Sequence, residues 1–157
     1  MNRAAIMLPI FVLTAAVSGC AQKDIGVRDF AAGKVQHVVR LDATQWRPCP
    51  PNLPAGCEVA VLDGHPKKAD LFTVRFNTTQ EFLMPAHSHP KDERVTVIKG
   101  KVAVGFGTGT SRAEADEFVA GDYYINARDE IHKVWIDADS IVQITGIGPW
   151  VVDYVEK

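Results

Sequence analysis

The sequence contains many short runs in which apolar and polar residues alternate, and turn-forming residues separate these runs. In residues 71–77, for example, Phe72, Val74 and Phe76 alternate with polar side chains. Side chains of a β-strand point alternately to its two faces, so this pattern predicts strands that bury one face. Short strands joined by turns, without long helices, predict an all-β sandwich or barrel.

The alternation predicts most elements of this fold along the chain. We expect a tight turn at Lys99 and Gly100, where glycine suits a positive φ. Residues 111–117 are compatible with one helical turn, and residues 82–86 lead in extended conformation into a pair of histidines. The remaining predicted strands cover residues 35–41, 58–62, 71–77, 93–98, 101–106, 123–126, 131–136, 140–145 and 150–155.

Two histidines and a glutamate follow at a regular spacing. His87 and His89 are one residue apart, so in an extended chain their side chains point to the same side. Glu93 begins the next predicted strand and shares a face with Val95 and Val97, which indicates an inward position. Two imidazoles and one carboxylate that converge predict a bound metal ion. In the alternative interpretation, Glu93 lies in solvent at the mouth of the barrel and the histidines bind water.

A second segment supplies a further candidate ligand, His132, which an apolar strand follows. The first segment matches the core of the first cupin motif: His-x-His, three residues, Glu, six residues, Gly. Residues 121–132 have the spacing of the second cupin motif, and the chain from about residue 72 to 155 resembles a single-domain cupin. It departs from the motifs at Glu81, where glycine is usual, and at residues 127–129, where Pro-x-Gly is usual.

The resemblance implies a double-stranded β-helix, which is a small jelly-roll barrel, with a metal toward one open end. It implies four metal ligands: His87, His89, Glu93 and His132. Such a donor set suits a divalent transition metal, namely Fe, Mn, Ni, Cu, Co or Zn. An octahedral ion would keep two open positions for a substrate, dioxygen or water. Glu93 is also a candidate catalytic base, because it could detach from the metal.

The N-terminus has the features of an export signal. Arg3 supplies a positive charge, and residues 4–17 form an apolar run that is short for a membrane span but typical of a signal peptide. Residues 17–20, Val-Ser-Gly-Cys, resemble the lipobox of bacterial lipoproteins, in which the cysteine, here Cys20, is lipidated. The alternatives are an ordinary signal peptide with a chance cysteine and a weak membrane anchor. By the sorting rule of that family, Ala21 indicates the periplasmic side of the outer membrane.

The two other cysteines, Cys49 and Cys57, lie in one proline-rich loop. An exported protein folds in an oxidising compartment, so this pair predicts a disulfide. A metal or redox pair is the competing interpretation. Seven intervening residues and the lack of a third ligand nearby argue against it.

Length and composition favour one domain. The chain has 157 residues, 46% of them hydrophobic, and no second block of distinct composition. We expect a lipoprotein signal peptide at 1–19, a polar tether at 20–33 and a cupin domain at 34–157. The net charge of −2 and the lack of a basic patch with interleaved aromatics argue against nucleic-acid binding. The expected partners are a small molecule and, through the lipid, a membrane; cupins often form homodimers, but no residue here specifies one.

Cupins include dioxygenases, isomerases, lyases, decarboxylases, and storage or sensing proteins, so the resemblance does not fix a reaction. We expect a metal-dependent enzyme that acts on a small organic molecule at the cell envelope, with a dioxygenase-like oxidoreductase as one form. The alternatives are a non-catalytic lipoprotein that binds a metal or small molecule, and a structural envelope protein with an idle site. Tyr123, Tyr124 and Trp135 are candidate cavity-wall residues, although a core role is the simpler interpretation.

Overall fold

The computed structural model describes residues 24–155, which form eleven strands and two short 3-10 helices. The helices are Leu41–Ala43 and Arg112–Glu114. The strands are β1 (Arg47–Pro48), β2 (Cys57–Gly64), β3 (Leu71–Thr78), β4 (Phe82–Ser88), β5 (Glu93–Lys99), β6 (Lys101–Phe106), β7 (Asp116–Val119), β8 (Tyr123–Asn126), β9 (His132–Ile136), β10 (Ser140–Ile147) and β11 (Asp153–Tyr154).

The strands form two antiparallel sheets that face each other. The larger sheet has the order β1-β2-β3-β10-β5-β8, and the smaller has the order β11-β4-β9-β6-β7. Consecutive strands alternate between the sheets at several points, for example β3 to β4 and β5 to β6. This arrangement is a double-stranded β-helix, and it confirms the predicted all-β jelly-roll barrel.

The core lies between the inner faces of the two sheets. Along β3 every second residue is buried, so Phe72, Val74 and Phe76 point inward and the polar residues between them do not. The same alternation holds along β10 and β9. The alternation predicted from the sequence is therefore the pattern that fills the barrel. The apolar side chains of that interior are Phe72, Val74, Phe76, Phe82, Met84, Val95, Val97, Val102, Val104, Val134, Ile136, Val142 and Ile144.

The structure corrects three predicted elements. Residues 35–41 are not a strand: Val35 is 92% and Val38 is 53% exposed, because no strand pairs with this segment. The predicted helical turn at 111–117 is limited to the 3-10 helix, and β7 begins at Asp116 because it pairs with β6. The predicted strand at 150–155 shrinks to β11. Gly100 has a φ of +79°, as the predicted turn requires.

The loop between β1 and β2 contacts the segment that follows β10. Cys49 and Cys57 form a disulfide, here called the loop disulfide, which confirms the predicted pair. The loop that it closes contacts the C-terminus, where the Tyr154 hydroxyl donates to the Asn52 carbonyl at 2.9 Å. The C-terminal segment is held in turn by the Trp150 backbone N–H, which donates to the Pro66 carbonyl at 2.6 Å.

The export signal and Cys20 lie outside the described residues, so their roles stay predictions, as do the domain boundaries at 19, 33 and 157. In residues 24–155, no helix has the length and apolarity needed to cross a bilayer. Residues 24–33 are exposed, and the Arg28 guanidinium pairs with the Asp63 carboxylate of β2.

Candidate metal centre

Three buried histidines meet inside the barrel because of the register between β4 and β9. His87 lies near the end of β4 and pairs directly with His132, the first residue of β9. His89 follows β4 by one residue, and its ring centroid is 4.9 Å from that of His87. The three residues are between 0% and 2% exposed. The pairing of two strands thus brings together histidines that are 43 and 45 residues apart in sequence (132 − 89 and 132 − 87).

Each of the three rings has one nitrogen fixed by a backbone carbonyl. Nδ1 lies 2.6 Å from the Pro85 oxygen in His87, 2.7 Å from the Val151 oxygen in His89, and 2.9 Å from the Glu130 oxygen in His132. A carbonyl oxygen only accepts, so Nδ1 carries the proton and donates in all three rings. Nε2 of each neutral ring therefore keeps a free lone pair, which is the form that binds a metal.

Glu93 adds a buried carboxylate to this cluster. It is the first residue of β5 and is 7% exposed, so the alternative interpretation with a solvated carboxylate is wrong. Its Oε1 is 3.5 Å from His89 Nε2, and its Oε2 is 3.7 Å from His132 Nε2. Asn126, at the end of β8, donates from Nδ2 to Oε2 at 3.1 Å. The structure therefore brings all four predicted ligands together.

Burial and mutual charge set the protonation of the cluster. Burial, reinforced by the nearby His132, lowers the pKa of His87 to about 4, so this ring is neutral at pH 7. Burial alone would raise the pKa of the Glu93 carboxyl, but the neighbouring imidazoles hold it below its ordinary value. Burial also opposes a charge on His132, yet the adjacent Glu93 carboxylate raises the pKa of this ring. An ionised carboxylate and at least one neutral imidazole are thus available at neutral pH.

These residues fit a transition metal. One ligand nitrogen from each histidine lies within 4.8 Å of the other two. Ligands about 2.1 Å from one ion stand up to about 4.2 Å apart, so this cluster is close to a shared coordination sphere. Moreover, Nε2 of His89 and Nε2 of His132 are buried and have no hydrogen-bond partner among residues 24–155. Buried polar atoms without a partner are rare, and a metal would satisfy both.

The turn before His132 forms without the glycine that is usual there. Asp129 has a φ of +64°, a left-handed conformation that asparagine and aspartate adopt more readily than other residues with side chains. Its backbone N–H donates to the His89 carbonyl at 2.8 Å, and this bond joins the two ligand segments. The Arg128 N–H donates to Asp92 Oδ1 at 3.2 Å and supports the same turn. Aspartate therefore fills the role of glycine in this motif.

A cavity of about 60 Å³ lies beside the cluster, and His87, His89 and Glu93 are among its lining residues. Tyr124 lines this cavity, and burial raises the pKa of its phenol, so the hydroxyl stays protonated. Tyr123 is 56% exposed and Trp135 is not among the lining residues, so neither of these two candidates forms the cavity wall, and the exposure of Tyr123 also excludes the simpler core role for it. The inward-pointing neighbours are Tyr124 in β8 and Val134 in β9, and Tyr123 and Trp135 occupy the alternate positions.

Sequence reasoning did not find three groups that contribute to the site. Asn126 holds Glu93, and Leu53 from the disulfide-closed loop lines the cavity. Trp150 lines it as well and stacks on His89, with ring centroids 5.6 Å apart. Asn126 and Tyr124 share the inner face of β8 because side chains alternate along a strand. This alternation is the one local feature of the sequence that places Asn126 inside the barrel. Leu53 and Trp150 reach the site through long-range contacts that have no local signal.

A comparison with protein families decides the family. The family model of the ChrR cupin-like domain matches residues 34–151. This chain belongs to the ChrR cupin-like family. The matched region contains all four residues of the cluster, and the first and last matched residues lie outside the barrel strands. A comparison of this ChrR-like cupin with curated protein sequences finds no match.

Solved structures with the same fold include an acetylacetone dioxygenase, a protein provisionally given the same name, and a polyketide cyclase. The enzyme of Acinetobacter johnsonii is 20% identical, with a TM-score of 0.62 over 86% of each chain. A protein of Methylibium petroleiphilum PM1, provisionally named as the same enzyme, is 22% identical, with a TM-score of 0.61 over 82% of this chain and 86% of that one. The polyketide cyclase RemF of Streptomyces resistomycificus is 15% identical, with a TM-score of 0.62 over 78% and 87%. At these identities, the likeness establishes the fold.

Proposed function

We propose that this ChrR-like cupin is a metal-dependent enzyme of the cell envelope that acts on a small organic molecule, with oxygenation as its reaction. The observation that carries the proposal is the orientation of three imidazoles, each with Nδ1 fixed to a carbonyl and Nε2 free, around a buried carboxylate. A set of this kind would hold Fe, Mn, Co, Ni, Cu or Zn. The bound metal would supply Lewis acidity and, for a redox-active ion, activation of dioxygen.

The residues of the chain have separable roles in this proposal. His87, His89 and His132 hold the ion, and their carbonyl partners keep the rings in one orientation. Glu93 completes the set, and as an ionised carboxylate it can accept a proton from a bound molecule. Asn126 keeps Glu93 Oε2 in place. The apolar walls of the cavity exclude water from the reacting centre.

Elemental analysis of untagged protein, purified without added metal, tests the metal site. We expect about one transition-metal ion per chain, and we expect His89→Ala to lose it. His65→Ala is the matched control, because His65 is exposed and its Nδ1 accepts from the Lys67 N–H at 3.1 Å on the surface. Metal content that is the same in His89→Ala and in the wild type would contradict the ligand assignment.

Oxygen uptake tests the reaction. Phenols, flavonols and diketones form the panel, and the diketones are included because two proteins with this fold are named for acetylacetone. We expect metal-dependent uptake with at least one class, which His132→Ala abolishes and His65→Ala retains. A fully loaded protein that turns over none of them would favour the alternative, a lipoprotein that binds a metal or small molecule without catalysis.

The proposed envelope location rests mainly on the N-terminal sequence. We infer from the lipobox-like residues 17–20 that the protein is exported, lipidated at Cys20 and anchored on the periplasmic side of the outer membrane. The Cys49–Cys57 disulfide supports an oxidising compartment. Palmitate labelling of the protein in cells, followed by fractionation of the membranes, tests this inference. Labelling that persists in Cys20→Ser would contradict it.

A further inference from the structure

The composition of the cavity wall limits what can bind beside the histidines. The lining side chains are mostly aliphatic or aromatic, for example Phe76, Val95, Val134 and Ile144, and neither lysine nor arginine is among them. Glu93 is the single carboxylate of the wall, and it already faces His89 and His132. A charge on the body of a ligand would therefore find no partner in this wall.

Two donors in the wall have no protein acceptor. The indole Nε1 of Trp150 is buried and has no hydrogen-bond partner among residues 24–155. Tyr124 is half-buried and also lines the cavity, and its hydroxyl has no hydrogen-bond partner in this part of the chain, so it is free to donate to a bound molecule; its ring stacks on Phe118 with centroids 4.3 Å apart. A buried donor without an acceptor is unfavourable, so an oxygen of the bound molecule is the natural partner of the Trp150 indole.

Both rings are held close to the candidate ligands. Trp150 stacks on His89, with an interplanar angle of 25°, and its ring also contacts Phe72 at 5.8 Å and Phe76 at 5.9 Å. Tyr124 lies two residues before Asn126 on the inner face of β8, and Asn126 holds Glu93. The donors therefore flank the histidine cluster at positions that are fixed by packing.

We propose that the cavity selects an uncharged molecule with an apolar body and one oxygen-bearing end, and that Trp150 and Tyr124 donate to that end. The proposal rests on the metal-dependent function given above and names its substrate class and two specificity-determining residues. Polyols fit poorly, because the wall offers few partners for their hydroxyls. Ligands whose far end carries an ammonium or carboxylate would leave a charge in the apolar part of the wall.

Titration calorimetry on protein loaded with Zn²⁺ tests the preference without requiring turnover. The probes are 4-methylphenol and two charged phenols of the same ring, 4-hydroxybenzylamine and 4-hydroxyphenylacetate. We expect 4-methylphenol to bind at least about tenfold more tightly than either charged probe. A charged probe that binds as tightly as 4-methylphenol, or a loaded protein that does not bind 4-methylphenol, overturns the proposal.

Matched variants test the two donors. Trp150→Phe and Tyr124→Phe each keep an aromatic ring and remove the donor, and each is expected to weaken 4-methylphenol binding about fivefold while zinc stoichiometry stays unchanged. Tyr154→Phe is the control, since its hydroxyl donates to the Asn52 carbonyl and it is not a lining residue. If Trp150→Phe fails to fold, Tyr124→Phe carries the test.

The outcomes separate this inference from the proposed function. Protein that takes up no zinc or other transition metal contradicts both. Loaded protein that binds charged and uncharged phenols equally, or whose two donor variants retain wild-type affinity, contradicts the substrate class and the donor roles alone. A tenfold preference that both donor variants reduce and Tyr154→Phe does not supports the proposal.

Discussion

The hydrogen bond between Asn126 and Glu93 allows us to predict how much stability is lost when it is removed, because both residues are buried. Asn126 is 2% exposed and Glu93 is 7% exposed, and Asn126 Nδ2 donates to Glu93 Oε2 at 3.1 Å. Asn126→Leu roughly preserves volume but leaves the buried carboxylate with one donor fewer. Hydrogen bonds to charged groups contribute about 1.5–3 kcal/mol, and a buried group without a partner adds its desolvation cost. We expect the free energy of unfolding of the metal-free protein to fall by about 2–3 kcal/mol.

The chain contains a matched control on the outer face of the larger sheet. Asn77 Nδ2 donates to Glu58 Oε2 at 2.9 Å, and both side chains are only half-buried. This bond is shorter than the one from Asn126, but solvent can replace it. We therefore expect Asn77→Leu to lose less than about 1 kcal/mol. The comparison separates the effect of burial from the effect of distance.

Urea unfolding in the presence of a chelator, followed by tryptophan fluorescence, measures both losses. The slope of the free energy against urea must stay the same in all variants, so that the difference reports stability alone. Equal losses in Asn126→Leu and Asn77→Leu would refute the argument from burial. Competition with a chromophoric chelator gives the metal affinity, which we expect to fall about 10–100-fold in Asn126→Leu alone, because Asn126 orients a ligand.

Three further predictions concern the metal-free protein. Reduction of the loop disulfide is expected to lower the free energy of unfolding by about 2.5 kcal/mol in the chain-entropy model. Urea unfolding with and without dithiothreitol measures this loss. If a double Cys→Ser variant still responds to dithiothreitol, the loss does not come from this disulfide. His87 has a folded pKa of about 4 against an ordinary 6.5, so the unfolded ring protonates first and stability falls as the pH drops from 6.5 to 4. His87→Gln should flatten that part of the pH profile, and an unchanged profile would count against the lowered pKa. Gly100→Ala places a Cβ against Ser140 at a φ of +79°, and we expect a loss of about 2 kcal/mol or more; Gly109→Ala, which meets nothing within 4 Å, is the control.

Alternation was sufficient to predict strands wherever one face of the chain is buried. The bounds of β6 and β8 agree with the predicted 101–106 and 123–126, because side chains such as Val102, Val104 and Asn126 point into the barrel. Residues 35–41 show the same alternation but no strand, because nothing pairs with them. A local pattern reports which faces are apolar. It does not report whether a partner strand is available, since pairing depends on distant residues.

The part of the candidate site that could be predicted is the part whose residues lie close together in the sequence. His87, His89 and Glu93 follow one another within seven residues, and one motif contains them. Asn126 could not be assigned to Glu93, because their contact depends on the register in which β5 pairs with β8. The cavity wall was harder still, since Trp150 reaches it only through the path of the chain after β10. The spacing of residues in a motif does not reveal the register between distant strands or the path of a loop, and both are needed to place these side chains.

The orientation of His89 depends on a carbonyl, that of Val151, which lies 62 residues further along the chain. This ring therefore cannot reach its final orientation until the chain has been made at least as far as residue 151. A chain truncated after residue 147 would retain every candidate ligand side chain, yet it would lack both this carbonyl and the stacked Trp150. Tight capture of an ion thus needs the segment that follows β10, and copies that lack this segment should be poor competitors for scarce metal.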